Sequence, residues 1–476
     1  MGVNRKIENL KNVIIVVLFL SAILLLYLLW QPRLDSIRVS SLLELRQGSR
    51  DVPSAEELIV PLYAAVGSGD GSFQIDTKDS AAMFTAAREE MRAFLSQEGA
   101  QTQEISAQQY HQAMGEWASV QFELGSGLPL GEVCSYFFGR GIDSEGNDIR
   151  LDVLGFSEAS KESIFAADRG QGSFYRILFT AGRDSVARLS ALAVSPDCSS
   201  YTASEILGGS GDALISLALA STLSEIPFEN EAQDKGTSGR DRMAETLFGS
   251  TFDFVRRITD SYGNVTYMYG YGQKTFYASV SGYCEYNTEA GEGRATGLFD
   301  DLETAVSFIA RLGGIEQDNG AGLVLSGYSE SGSGRNRRRV FEFSQTLNGA
   351  RIGSENGAAA SVTLTGGQVT AAVRNMVFPV RNAAGGRPVQ TADAANVIAS
   401  NANHIYNILN NDTLAVASDE AFTEAASRAV TLTPGYFASA KDGELIPCWT
   451  LTASGGTRFF FDLYTASPLG FAREEE

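Results

Sequence analysis

From Asn12 to Trp30 the chain reads NVIIVVLFLSAILLLYLLW, nineteen residues without a charge. At about 1.5 Å of rise per residue, a helix of this length just crosses a hydrocarbon core of roughly 30 Å. Tyr27 and Trp30 stand at its C-terminal end, where amphipathic rings favour the membrane–water interface, and Arg5, Lys6 and Lys11 precede it. A cleaved signal peptide is the competing reading. Its apolar region would be about 7–15 residues long and would end in small residues. Here the run is longer and is followed by Gln31-Pro32-Arg33-Leu34-Asp35, so an uncleaved anchor is expected. Arg33, Arg38, Arg46 and Arg50 lie beyond it, and a count of basic residues favours neither orientation. Lys11 abuts the apolar run, and the region that follows is too long to be governed by nearby charge. The expected arrangement is a cytoplasmic tail over 1–11, a transmembrane helix over 12–30 and an extracytoplasmic remainder: a single-pass protein of the cell membrane.

Over the whole chain, 44 % hydrophobic residues, including 27 Phe and 17 Tyr, supply enough apolar material for folded cores. Forty-nine glycines imply many turns, and hence much β-structure. The formal net charge of −20 repels phosphate backbones and argues against nucleic acid as a partner. Cys134, Cys198, Cys284 and Cys448 form no CxxC pattern for redox or zinc chemistry. Buried free thiols are the simplest reading, although an oxidising compartment would permit pairing.

Periodicity predicts an α+β fold: extracytoplasmic modules with antiparallel sheets and helices packed on one face. Residues 31–60 read as a connector with a short possible helix over Ser41–Arg46. A first module is expected over 31–228. It contains an amphipathic helix over Asp79–Ser96, with Ala82, Met83, Ala86, Met91 and Phe94 near helical spacing. Strands are expected at Trp117–Leu124, Ile149–Leu154 and Ser173–Phe179, and Asp212–Leu223 is open between helix and strand. Residues 229–242 (ENEAQDKGTSGRDR) read as a linker. A middle β-rich module over 243–294 follows, with a short helix over Met243–Phe248. Tyr262-Gly263-Asn264 is its first turn, between strands at Phe252–Ile258 and Val265–Tyr271. The C-terminal α+β module, 295–476, is expected to hold helices over Phe299–Leu312 and Thr391–Leu409. Strands flank Ser329–Gly334, a hairpin turns at Gly366-Gly367, and closing strands run over Thr431–Tyr436, Leu445–Ala453 and Arg458–Tyr464.

Catalytic chemistry has few places to start. The two histidines, His111 and His404, are far apart in sequence and read as surface or packing residues. HExxH, GxSxG and Walker A patterns are absent, and no lysine has a serine three residues before it. Asp300-Asp301 and Glu474–Glu476 lack EF-hand spacing and read as solvated charge. Gly67–Gly71, Gly208–Gly211 and Ser331–Gly334 lack the helix and lysine of a phosphate cradle and read as loops. Arg335-Asn-Arg-Arg-Arg339 is the concentrated basic patch. It is either a dock for an acidic partner or a hairpin rim that balances nearby acid. No catalytic, metal or cofactor residue is assigned. A carboxylate pair for glycoside hydrolysis would show only in its spatial separation.

The order of these features resembles the YycH family and, in its last part, the related YycI family. Trp117 to Phe138, with Gly127-Leu-Pro-Leu, is similar to that family's first strand and turn. Leu247-Phe248-Gly249, Tyr269-Gly270-Tyr271-Gly272 and Gly282-Tyr283-Cys284-Glu285-Tyr286 resemble its middle module. Phe341 to Gly349 resembles the start of the shared last module, and Leu445-Ile-Pro-Cys-Trp449 with Arg458–Tyr464 its closing hairpin, a pattern also similar to PepSY-type domains. Ala350-Arg351 stands where the family leads one to expect a proline after Asn348-Gly349, which leaves YycH and YycI both open for that module. The resemblance implies a non-enzymatic accessory protein of the WalK (YycG) sensor histidine kinase, governing cell-wall metabolism in Gram-positive bacteria. A sensor kinase and a related accessory membrane protein would be its partners, with much of the coupling between transmembrane helices. In this sequence that points to Ser21 and Ala22, the small residues of the anchor, and to Tyr27 and Trp30 at its rim. An envelope-binding or inhibitory PepSY-like module, recognising a peptide, a glycan or an enzyme, is the alternative. A carboxylate-based cell-wall hydrolase is a third.

Overall fold

The structure, a computed structural model, describes residues 52–76, 79–169, 171–193, 198–202, 214–216, 220–229, 236–313, 315, 321–380, 389–411, 417–439, 441 and 443–473. The anchor 12–30, with Ser21, Ala22, Tyr27 and Trp30, lies outside these residues, as do Ser41–Arg46 and Glu474–Glu476. Among the described residues no helix is long and apolar enough to cross a membrane.

The first part opens with a one-turn helix, α1 (Ala55–Leu58), and the hairpin of β1 (Tyr63–Ser68) and β2 (Ser72–Asp76). Its turn needs two left-handed residues, and Gly69 and Gly71 supply them at φ 85° and 86°. The Asp70 carboxylate closes the turn by accepting from the Ser72 amide at 3.0 Å. Helix α2 (Ser80–Leu95), strand β3 (Gln101–Ile105) and helix α3 (Ala107–Gly115) follow. Then come β4 (Ala118–Pro129), α4 (Leu130–Phe138), α5 (Ser144–Asn147), β5 (Arg150–Ser157), β6 (Ser163–Asp168) and β7 (Ser173–Leu178). After α6 (Ser185–Ser190) the chain forms β8 (Cys198–Thr202), β9 (Leu214–Ser216), β10 (Ala220–Ser221) and β11 (Ile226–Glu229). Pairing runs β3–β7–β6–β5–β4–β1–β2–β8–β9, antiparallel throughout.

Helix α7 (Gly236–Phe248) leads into a four-stranded meander of β12 (Arg256–Thr259), β13 (Val265–Tyr269), β14 (Lys274–Ala278) and β15 (Cys284–Thr288). Helix α8 (Leu298–Gly313) precedes β16 (Ala321–Ser331), β17 (Arg338–Leu347), β18 (Ala350–Gly353), β19 (Ala360–Thr365) and β20 (Gln368–Arg374). β15 pairs with β20, so the meander extends into a second sheet, β12–β13–β14–β15–β20–β19–β17–β16. The short strands β21 (Phe378–Pro379) and β22 (Val389–Gln390) come next, then helices α9 (Ala394–Asn410) and α10 (Ser418–Arg428). The chain closes with the meander β23 (Ala429–Ser439), β24 (Glu444–Ala453), β25 (Arg458–Asp462) and β26 (Pro468–Ala472).

Two parallel contacts join the sheets. Ile215 of β9 sits opposite Leu432 of β23, and Ile352 of β18 opposite Tyr436 of the same strand. The path β4–β1–β2–β8–β9–β23–β18–β17–β16 is therefore continuous. β16 comes back beside β4, and Arg150 Nη1 at the start of neighbouring β5 donates to the Tyr328 carbonyl of β16 at 3.4 Å. The largest hydrophobic cluster takes residues from Ala55 to Met376, including Met83 and Phe94 of α2, Phe276 of β14 and Leu302 and Val306 of α8. A second cluster buries one face of α9 and α10 on β23–β25, around Trp449, whose Nε1 donates to the Ala392 carbonyl at 3.2 Å.

Several expectations need correction. The stretch read as linker is already helical from Gly236, since α7 runs on to Phe248 and packs against α8. Asp301 is not solvated: it is 3 % exposed and paired with Arg339. Ala82 faces solvent, and Phe84 and Ala87 take the buried positions instead. The strand expected over Phe252–Ile258 is a 3-10 turn over Gly249–Phe254 followed by β12. The polar stretch around His111 is a helix with a complete capping box. Ser106 Oγ accepts from the Gln109 amide at 3.2 Å, and Gln109 Oε1 accepts from the Ser106 amide at 3.0 Å.

Candidate functional site

Both histidines pack against aromatic rings. His111 on α3 packs edge-on against Phe174 at 5.7 Å, and His404 on α9 against Phe459 at 6.5 Å. Burial lowers the pKa of His404. Cys134, Cys284 and Cys448 are buried, and burial pushes the thiols of Cys134 and Cys448 up to about 12, where the reactive thiolate is scarce. Among the described residues no group of three or more His, Cys, Asp and Glu could hold a metal ion.

Charged side chains instead tie elements together. The basic patch 335–339 divides between two environments: Arg335 and Arg338 are exposed, while Arg339 is 2 % exposed. Arg339 donates to Asp301 Oδ2 at 2.7 Å, to Glu330 Oε2 at 2.8 Å and to the Thr296 carbonyl at 3.1 Å. Burial works against its charge, but Glu330 and Asp301 outweigh that and hold its pKa above the ordinary arginine value. Glu90 on α2 collects Arg183, Arg188 and Ser185 at 2.7–2.9 Å, which fixes α6 to α2. Glu123 on β4 receives both Nε and Nη2 of Arg169, at 3.1 and 2.8 Å.

Glu123 lies on the same face of its sheet as Tyr63, its partner across β1. That face continues through Phe73, Ile75 and Leu214 to the threonines of β23 and β24. Arg351 and Arg458 belong to it as well. Arg351 Nη2 and Arg458 Nε are shut away from solvent and have no hydrogen-bond partner among the described residues. Burial first, and then the charge of Arg458, lowers the pKa of Arg351 to about 9, against the pull of Glu123. Sequence reading singled out Arg351 only as a departure from an expected proline.

The middle meander presents apolar side chains to solvent. Among the described residues β12 pairs with β13 alone, and it is exposed at all four positions. Phe254 and Tyr262, on either side of it, are 78 % and 82 % exposed, and Ile258 and Val280 are also exposed. Tyr271 stands fully in solvent with a left-handed backbone, φ 58°, an unfavourable conformation for a residue with a side chain. Nearby, Lys274 donates to the Leu247 carbonyl at the end of α7 and lies 5.0 Å from the Phe248 ring centroid. Burial, and then the charge of Arg311, lowers its pKa to about 8.

No protein-family model matches this sequence, and no curated protein matches it either. The fold does have a solved counterpart. The chain is similar in structure to the crystal structure of YycH from Bacillus subtilis, with a TM-score of 0.53 and 12 % sequence identity, covering 85 % of this chain and 96 % of that one. The described residues therefore adopt a YycH-like fold.

Proposed function

We propose that this protein is a membrane-anchored, non-enzymatic regulator of a two-component sensor kinase that controls cell-wall metabolism. The YycH-like fold, extending over 85 % of the chain, is the observation that carries this reading. The uncharged segment Asn12–Trp30 supports it from the sequence side. In this account the segment crosses the membrane with its N-terminus in the cytoplasm, and 52–476 stands outside. The face carrying Ser21 and Ala22 meets a transmembrane helix of the kinase or of a related accessory protein, and Tyr27 and Trp30 set its depth. The test is a pull-down from detergent-solubilised membranes with the full-length chain and with a chain whose residues 12–30 are exchanged for an unrelated transmembrane helix. Recovery of a sensor kinase by the native chain, lost on exchange, is the expected result. Equal recovery by both moves the contact to the outer part, and no kinase with either overturns the proposal.

A second reading has its own observation. The open edge of β12, flanked by Phe254 and Tyr262, offers unpaired backbone groups and aromatic anchors to an extended segment of another protein. That geometry favours the envelope-binding, PepSY-like alternative. Under it the extracytoplasmic contact survives anchor exchange and is lost when Ile258 is replaced by proline.

A further inference from the structure

The strands β18, β23, β24 and β25 lie side by side, and their registers decide which side chains share a face. Ile352 of β18 stands opposite Tyr436 of β23, and both enter one hydrophobic cluster. Arg351, one residue earlier, therefore belongs to the other face. On that face Thr431 and Thr433 pair with Thr452 and Thr450, and Thr452 pairs in turn with Arg458. Between Arg351 and this threonine row stands Gly435. A Cβ built there would come 2.7 Å from the Arg351 carbonyl oxygen and 3.7 Å from Thr450 Oγ1, so the glycine keeps the two strands close and leaves the space above them clear of a side chain.

Two arginines share this face with the carboxylates of Glu123 and Asp462. Arg351 Nη2 and Arg458 Nε are buried and unpartnered among the described residues. Their charges act on each other, because Arg458 is among the groups that destabilise the charged form of Arg351. Glu123 is the carboxylate that draws on Arg351, and it is already gripped by both arms of Arg169. Both side chains are half-buried, and in each one nitrogen is shut away from solvent without a partner among the described residues, a donor that a bound acceptor would satisfy. Guanidinium groups match planar carboxylates and phosphates with paired hydrogen bonds, and hydroxyls add donors of adjustable direction.

We propose that the Arg351–Arg458 face is a binding site for an oxyanion group, a carboxylate or a phosphate, with the hydroxyls of Thr433, Thr450 and Thr452 completing its shell. The site uses no residue of the anchor segment 12–30, so this inference stands or falls independently of the kinase reading. The test uses the full-length chain in detergent, titrated calorimetrically with sodium acetate and with sodium phosphate, against sodium chloride at matched ionic strength. The expected result is saturable binding of one of the two oxyanions, together with a rise in Tm that chloride does not reproduce. Binding of phosphate alone assigns a phosphate ligand, and binding of acetate alone a carboxylate. Arg351→Met and Arg458→Met each remove one charge while keeping the apolar stem. Each should weaken binding at least tenfold, and without added oxyanion each should melt at or above the wild-type temperature, because a donor shut away from solvent without a partner has been removed. Neither oxyanion binding more than chloride overturns the site, as does binding that persists in both variants. Variants that melt well below wild type without oxyanion would show the arginines to be structural and would also overturn it.

Discussion

The guanidinium of Arg339 holds three segments at once, through Asp301 on α8, Glu330 on β16 and the carbonyl of Thr296. Removing it leaves Asp301 buried without its cation, which typically costs about 3–5 kcal/mol. Arg339→Ala is therefore expected to lower unfolding free energy by that amount in denaturant titration. Arg338→Ala, at an exposed neighbour, should stay within about 0.5 kcal/mol of wild type. Lys274 makes a pH-dependent contribution. Its pKa is lowered to about 8 in the fold, against about 10.4 for an unfolded lysine. Between those values the unfolded chain binds more protons, so this group makes stability rise with pH across the window. The stability difference between wild type and Lys274→Met should shift in favour of wild type from pH 7.5 to pH 9.5, read from Tm in both proteins. A difference independent of pH would show that Lys274 titrates normally. The pairing of Arg339 with Glu330 across the hairpin fits the reading of a basic rim that balances nearby acid, whereas Asp301, and Leu247 for Lys274, lie 38 and 27 positions away and give no local signal.

Glycine positions test the strand packing. A Cβ on Gly353 of β18 would fall 2.2 Å from the Phe460 ring, so Gly353→Ala must displace an aromatic side chain on β25. The expected loss is about 1–3 kcal/mol, measured by denaturant unfolding. At Tyr271 the prediction runs the other way. Its ring touches solvent and its φ is 58°, so Tyr271→Gly should raise stability by about 0.5–1 kcal/mol while leaving the β13–β14 hairpin intact. The same elements show what local pattern can and cannot give. Helix α8 and the hairpins at Gly366-Gly367 and Tyr262-Gly263-Asn264 were legible because periodicity and turn chemistry are local signals. Strand β18 was not, because four residues pair with β17 and in parallel with β23, more than eighty positions away. Helix α7 begins inside a polar stretch that reads as linker, and its helical state reflects packing against α8 more than intrinsic preference. The Arg351–Arg458 face was invisible for the same reason as β18: it exists only once the registers of four strands are known.

The path of paired strands from β4 around to β16, which packs beside β4 without pairing with it, binds the first and last parts of the chain into one frame. The largest core cluster runs through the first, middle and last parts alike, so a disturbance at one end is carried by packed side chains rather than by a loose linker. The frame itself could not be read from composition or motif, although the order of elements already resembled the YycH family and the solved YycH fold covers 85 % of the chain. The most direct test of the regulatory account is the autophosphorylation rate of the cognate sensor kinase in lipid vesicles, measured alone, with the full-length chain and with the chain carrying an exchanged 12–30 segment. The account predicts a change of several-fold with the native chain that is lost with the exchanged one. A rate that is the same in all three preparations would contradict it.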